Sequence, residues 1–458
     1  MRQVPRPPND DETEIKPAND NRIVQVREYK LITPLFGGGV EPGQCDDLTP
    51  IRGTEIRGHL RFWWRATRGG RYGDDLDAMR RDEGLIWGGP STAKKPRPAH
   101  VQTVVERSAV GPAIRYRELG KLDADFLYAA FPLQEGNKAV RSGVKFALKI
   151  AFKPEIEFRD DDGNKKVFEN VSAEVEAALW AWETFGGLGA RTRRGFGALH
   201  CTHRDGTPCS FAPDARTPVE VQNVIDAGFH THLIEGEWPE DVPHLSADIF
   251  YCRVTPVRRN GNEAWKTVIG GLKRFRQHRP GYGRSRWPEP DAIRKATGQW
   301  LKPGVKEHNH PGHVPQPNNS AKFPRAAFGL PIVFHFKDGD EDNPCNADRD
   351  PRDVVLKLAS HDRLSSPLIL RPLCLSEQRY VGLAVLLGGT LQPEDFYTND
   401  IDLVLTEKDG RGAIAIGLKA ELSLAEAKSI RRVGSNTPLL GNQADPLIAF
   451  LDEIQKGE

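Results

Sequence analysis

Guanidinium groups set among glycines are the chemistry this sequence offers. Residues 50–72 hold six arginines, Arg52, Arg57, Arg61, Arg65, Arg68 and Arg71, against one acid, Glu55. Wound as a helix from about Thr54, the stretch sets Ile56, Leu60, Trp63 and Trp64 on one stripe and Arg57, Arg61, Arg65 and Arg68 on a second beside it. Each guanidinium is permanently charged and forked, which suits phosphate. Gly58 lies on the arginine side, where it weakens the helix by about 1 kcal/mol relative to alanine and lets another backbone come close. A second basic stretch, GGLGARTRRGFGALHC, places Arg191, Arg193 and Arg194 among Gly186, Gly187, Gly189, Gly195 and Gly197. Glycines here permit close backbone approach while the arginines supply charge, an arrangement suited to a polyanion's backbone. A third, from Arg253 to Arg286, has ten basic residues, Lys273, Arg274 and Arg276 among them, and one acid, Glu263.

Other chemistries fit less well. The glycine loop follows a helix, precedes a strand and has no G-K-[ST], so it is neither a dinucleotide fingerprint nor a P-loop. His200, Cys201, His203 and Cys209 match no common zinc spacing, and His308, His310 and His313 sit in a turn-rich polar run; no metal or other cofactor is expected. Trp63 and Trp64 fall at core spacing, whereas Tyr72, Tyr282 and Phe196, beside arginines in loops, are the candidates for stacking on bases. His59 and Tyr72 are the residues that could do general acid/base work.

These segments need a frame to hold them. Ile23–Ile32 has strand composition and ends in TPLFGGG. Val144–Phe152 alternates, with Phe146, Leu148, Ile150 and Phe152 on one face. Ser172 can cap a helix carrying Val175, Ala178, Leu179 and Trp182, which Gly186 stops. Strand signals return at residues 247–255, 332–336, 368–370 and 381–387. Near the end Ser423 and Glu426 form a capping box, and Asp445-Pro446 opens a helix bearing Leu447, Phe450, Leu451 and Ile454. Strands and helices mix without strict alternation, which favours α+β. GGLKRFRQHRPGYGRSRW in the second half stands where RGHLRFWWRATRGGRY stands in the first, so the halves read as tandem. The expected divisions are a disordered extension at 1–21, a first domain at 22–205, a proline-rich linker at 206–244 and a second domain at 245–458.

The 64 basic and 63 acidic residues nearly cancel, so partners are indicated by the distribution of charge rather than its sum. Six scattered cysteines and a polar start suit a reduced, cytoplasmic protein. No run approaches eighteen apolar residues, so no membrane span is expected.

TPLFGGG, PIRGTEIRGHLRFWWRAT, GGLGARTRRGFGAL, GGLKRFRQ, FPRAAFGLPIVFHF and SSPLILRP, in this order, resemble the first RAMP-type subunit of the type III-B CRISPR effector, the Cmr complex. The loop at 186–197 is similar to that family's glycine-rich loop. The resemblance implies two tandem ferredoxin-like (RRM-like, RAMP) domains with loop insertions. It also implies a non-catalytic subunit of a hetero-oligomer with other RAMP subunits, near the 3′ part of the guide (CRISPR) RNA and contacting guide or target RNA. Arg52, Arg57, Arg61, Arg65, Arg191, Arg193, Arg194, Lys273, Arg274 and Arg276 are then the expected RNA-binding side chains. Two rival readings stay open, a metal-independent RAMP ribonuclease using His59 or Tyr72 and a protein-only assembly subunit.

Overall fold

Period-two alternation builds the first sheet. Strand β1 (Ile23–Leu31) is followed by helix α1 (Gly53–Arg68), strands β2 (Gln102–Ala109) and β3 (Lys145–Phe152), helix α2 (Val171–Phe185) and strand β4 (Leu199–Arg204). In β3, Phe146, Leu148, Ile150 and Phe152 are buried while Lys145 is exposed, as the alternation requires. Tyr29 of β1 lies opposite Phe146, their rings stacked at 4.9 Å. The strands run antiparallel in the order β2-β3-β1-β4. This βαββαβ order is the ferredoxin-like motif.

The computed structural model describes residues 21–39, 43–46, 49–90, 97–160, 163–239, 241–246, 251–279, 285–297, 322–336, 351–359, 363–389, 403–408 and 412–456. Residues 1–20 of the expected extension, the cluster of His308, His310 and His313, and Tyr282 lie outside them.

The span expected to be a linker holds a 15-residue helix, α3 (Pro218–His232), begun by a capping box of Thr217 and Glu220. Its Val221, Ile225 and Phe229 join the core around α2, so this stretch is packed against the first domain rather than strung between two. The second half then repeats the opening of the first. Strand β5 (Cys252–Val254) leads to helix α4 (Gly261–Gln277). Strands β6 (Ile332–Phe334) and β7 (Val354–Leu358) follow, then β8 (Leu368–Ser376) and β9 (Arg379–Leu386). Strands β10 (Leu403–Glu407) and β11 (Ala413–Leu418) precede the closing helix α5 (Pro446–Lys456). The sheet β5-β9-β8 has the same strand order as β1, β3 and β2 before it, and among the described residues no fourth strand joins it. The tandem expectation thus holds for βαββ in each half.

One expectation needs enlarging. The segment read as a strand at 332–336 enters a separate antiparallel sheet, β6-β7-β10-β11, with its own core of Phe323, Phe334, Leu356, Leu403 and Leu405. Strands of three to six residues, widely spaced along the chain, offer no long periodic run from which to read this module.

The layers explain the apolar run VGLAVLL. All nine residues of β8 are buried, and the strand is covered on both faces. Ile369, Leu373 and Leu375, with Val381, Leu383 and Val385 of β9, face the core that α2 shares with the first sheet. Leu368, Leu370, Ala384 and Leu386 face Trp265, Leu272 and Phe275 of α4 and Phe450 of α5. Helix α2 is therefore apolar on almost every side, because it lies between two sheets.

Within that seam sits one charge, Arg371 of β8, with no exposed surface. Its fork donates to the carbonyls of Glu183 (2.9 Å) and Gly186 (2.5 Å) at the end of α2, Leu199 of β4 (2.8 Å) and its neighbour Pro372 (3.1 Å). The first two carbonyls belong to the end of a helix, where partial negative charge gathers. Replacing Arg371 by methionine should lower the unfolding free energy by at least ~3 kcal/mol, because four buried acceptors lose their donor together. Urea unfolding of the Arg371→Met and Arg371→Lys chains checks this. Lysine, lacking the planar fork, should restore little, and near-native stability of either chain would contradict the role.

Candidate nucleic-acid interface

Helix α1 forms as its periodicity demands. Ile56, Leu60, Trp63 and Trp64 are buried against α2, which confirms both tryptophans as core residues. The arginines beside them are committed elsewhere. Arg61 donates through Nε to Glu83 (2.7 Å), and Arg65 pairs with the same carboxylate, which is 3% exposed on the helix Leu76–Trp87. Arg68 (2.9 Å) and Arg71 (2.7 Å) both pair with Glu174 of α2, whose other oxygen accepts from the Trp64 indole (2.7 Å). Arg52 is turned to the carbonyl of Gly38. Among the described residues Arg57 has no such partner, and beside it Gly58 is exposed, with nothing within 4 Å of where a Cβ would stand.

The glycine loop lies where the halves meet. Two indoles, one from each half, grip its ends: Trp182 Nε1 donates to the Gly187 carbonyl and Trp265 Nε1 to the Arg194 carbonyl, each at 2.9 Å. A Cβ on Gly186 would lie 2.5 Å from Trp63 Nε1 and 2.6 Å from Trp182 Cδ1. Gly195, at φ +80°, would set one 2.5 Å from Trp265 Nε1. Neither position has room for a side chain, so these glycines serve the seam itself. Gly189 donates its N–H to Glu55 Oε1 (3.0 Å), tying the loop to α1. Gly187 bridges to Ala198, and Gly197 donates to the Pro34 carbonyl at 2.9 Å.

What the loop presents is positive charge. Arg194 donates to the carbonyls of Leu368 (2.9 Å) and Phe328 (3.4 Å), and Arg193 reaches Ser366 in β8's approach while lying over the Phe62 ring at 6.0 Å. Arg191 holds a left-handed backbone, φ +57°, uncommon for a residue with a side chain. Arg276, near the end of α4, donates to the Tyr128 hydroxyl (2.9 Å). Burial, then Arg276 and Arg191, push the Arg194 guanidinium down to about 9, so it stays charged at neutral pH among like charges. Among the described residues no carboxylate pairs with Arg191, Arg193 or Arg194. Such a cluster has geometry for an anion brought from outside.

Of the remaining expected residues, Lys273 is paired with Asp125 (2.8 Å) and Arg274 is exposed on α4. The structure therefore gathers Arg191, Arg193, Arg194 and Arg276, leaves Arg57 on a separate face and commits Arg61, Arg65 and Lys273 to acids. Phe196, expected to stack on bases, is fully buried against Phe36 and Trp265. Tyr72 is half-buried and donates to Asp82 (2.9 Å). Tyr128 was missed because nothing in its local sequence marks it, while Arg371 had a signal, a lone charge in LILRPLCL.

His59 lies 3.9 Å from Glu55 and stacks on Trp182 at 6.3 Å. Burial and Asp82 raise the Tyr72 phenol well above its ordinary range. Thirteen residues of largely helical chain separate the two, on the order of 20 Å at helical rise, so they cannot serve one phosphodiester as acid and base. Among the described residues no three His, Cys, Asp or Glu side chains converge in metal-binding geometry, and no helix is long and apolar enough to cross a membrane.

Burial raises the Glu174 pKa, but its bonds with Arg68 and Arg71 outweigh that and hold the carboxyl below its usual 4.5. A depressed carboxyl contributes stability that is complete above the unfolded value and is lost as pH falls through the folded one. Glu174→Gln should therefore cost about 3 kcal/mol at pH 7, with the gap to the unaltered chain narrowing below pH 4.5. Denaturant unfolding across pH 3–7 measures it, and a gap that does not change with pH would refute the assignment.

Residues 28–200, from β1 to the start of β4 and including both the arginine helix and the glycine loop, match the RAMP superfamily. The CRISPR system Cmr subunit Cmr1-2 of Pyrococcus furiosus is 27% identical over 186 residues, which cover 38% of this chain and 92% of that one. Among solved structures, Cmr1 from Pyrococcus furiosus in its apo form is similar over 80% of this chain and 88% of its own, at 16% identity and a TM-score of 0.42. A chain of the type III-B Cmr-beta complex bound to cognate target RNA is similar over 80% of this chain and 94% of its own, at 13% identity and a TM-score of 0.44.

Proposed function

We propose that this chain, which belongs to the RAMP superfamily through residues 28–200, is an RNA-binding, non-catalytic subunit of a type III-B CRISPR effector. Its partners are guide RNA, toward the 3′ region, target RNA and other RAMP subunits. One observation carries the RNA contact: Arg191, Arg193, Arg194 and Arg276 stand together at the meeting of the two halves with no paired carboxylate among the described residues. In a chain of net charge +1, where Arg61, Arg65, Arg68 and Arg71 are matched by buried acids, a cluster left unmatched marks where phosphate is received. Contacts of this kind position a nucleic-acid backbone without reading its sequence. Gly58 supports contact on a second face, since a helix glycine with open space above it has a reason only if another backbone comes near.

Replacing Arg191 and Arg276 together by alanine should weaken binding of single-stranded RNA at least tenfold. It should also reduce the slope of log affinity against log salt by roughly 1.4, at ~0.7 per phosphate contact. A salt titration of RNA binding by fluorescence anisotropy tests both, and an unchanged slope would sink the reading. Arg61→Ala with Arg65→Ala should behave differently. It strands the buried Glu83 carboxylate and should appear first as ~3 kcal/mol of lost stability in a denaturant melt.

A further inference from the structure

Among the described Phe, Tyr and Trp residues one is in open solvent: Phe131, 52% exposed. It is not on a loose loop. Ala129 and Ala130 before it and Leu133 after it are buried, the Leu133 and Gln134 N–H groups close successive turns on Ala130 and Phe131, and Pro132 stiffens the chain between. The segment is pinned to α4 by Lys266–Asp123 (2.6 Å) and Lys273–Asp125 (2.8 Å). Phe131 follows by three residues Tyr128, whose hydroxyl Arg276 engages. Across from it is the His335 ring, with centroids 6.5 Å apart and planes at 56°. His335 is itself held through Nδ1 by Asp353 (2.6 Å). Two rings on separate, anchored elements thus meet at a tilt, and about half of the Phe131 surface stays open to solvent.

We propose that Phe131, faced by His335, is a stacking platform for an unpaired nucleobase. An apolar ring held rigidly in water gains most from a planar π-face, and stacking on such a ring tolerates any base, as suits a site whose phosphates are held by arginine. The platform rests on the RNA-binding reading above and adds to it a site for bases, distinct from the site for phosphates.

The test uses the full chain and single-stranded RNA carrying 2-aminopurine, whose fluorescence is quenched on stacking. The unaltered chain should quench the probe. Phe131→Ala should lose the quenching and weaken binding roughly 5- to 100-fold, while Phe131→Trp retains both and circular dichroism shows all three folded alike. Binding and quenching unchanged in Phe131→Ala would overturn the platform and leave the arginine site standing. Failure of the unaltered chain to bind RNA would overturn both. Loss of association with a partner protein in Phe131→Ala, at unchanged RNA affinity, would reassign the ring to a protein contact and likewise overturn it.

Discussion

A single buried guanidinium determines how the two halves of this protein meet. Arg371 comes from a strand of the second half and spends its donors on carbonyls of the first: the last turn of α2, the first glycine of the loop and the first residue of β4. Each of those groups would otherwise be a buried acceptor without a donor, and the guanidinium would be a buried charge without a counterpart. The charge is bonded directly to backbone carbonyls, with the Glu183 carboxylate favouring it from nearby, and burial pulls its pKa down to about 9, still above neutrality. Neither half can satisfy its own polar groups at this seam.

Electrostatic matching follows two different rules on either side of that seam. On α1 and the turn after it, four arginines converge on two buried acids, Glu83 and Glu174, so that a row which looks like a nucleic-acid surface is largely internal structure. In the glycine loop, arginines of equal formal charge answer only to carbonyls and to one another. Charge density in a sequence does not distinguish the two cases. The distinction depends on where acids 18 to 106 residues away are brought by the fold.

That separation explains what could be read in advance. Periodicity is local, so the stripe of Ile56, Leu60, Trp63 and Trp64, the alternation of β3 and the cap at Ser423 were all legible and all stand in the structure. That each half opens on a strand followed by a basic helix was also legible, whereas β2 lies in a turn-rich stretch that carried no clear signal. Partners were not legible. Phe196 lies beside arginines in sequence, yet its ring is enclosed by Phe36 and Trp265 from two other segments. Phe131, which is exposed, sits in a stretch of turns with no basic residue near enough to attract notice; Arg276 and Arg191 reach its neighbourhood only through Tyr128. The module of β6, β7, β10 and β11 went unseen for the converse reason, its strands being three to six residues each and widely spaced along the chain.

The seam and the cationic cluster share residues of the glycine loop, so an anion received there would couple its binding to folding. Gly186 is held by Arg371, Gly195 is packed beneath Trp265, and between them the loop has no freedom to separate Arg191, Arg193 and Arg194. Their mutual repulsion is a cost the native state carries alone, because the unfolded chain lets the three charges part. An anion seated among them removes that cost in the folded state and nowhere else, so by linkage it must tighten the junction of the two halves as it binds. The arrangement that makes the cluster attractive to a polyanion is thus the arrangement that leaves the junction weaker without one.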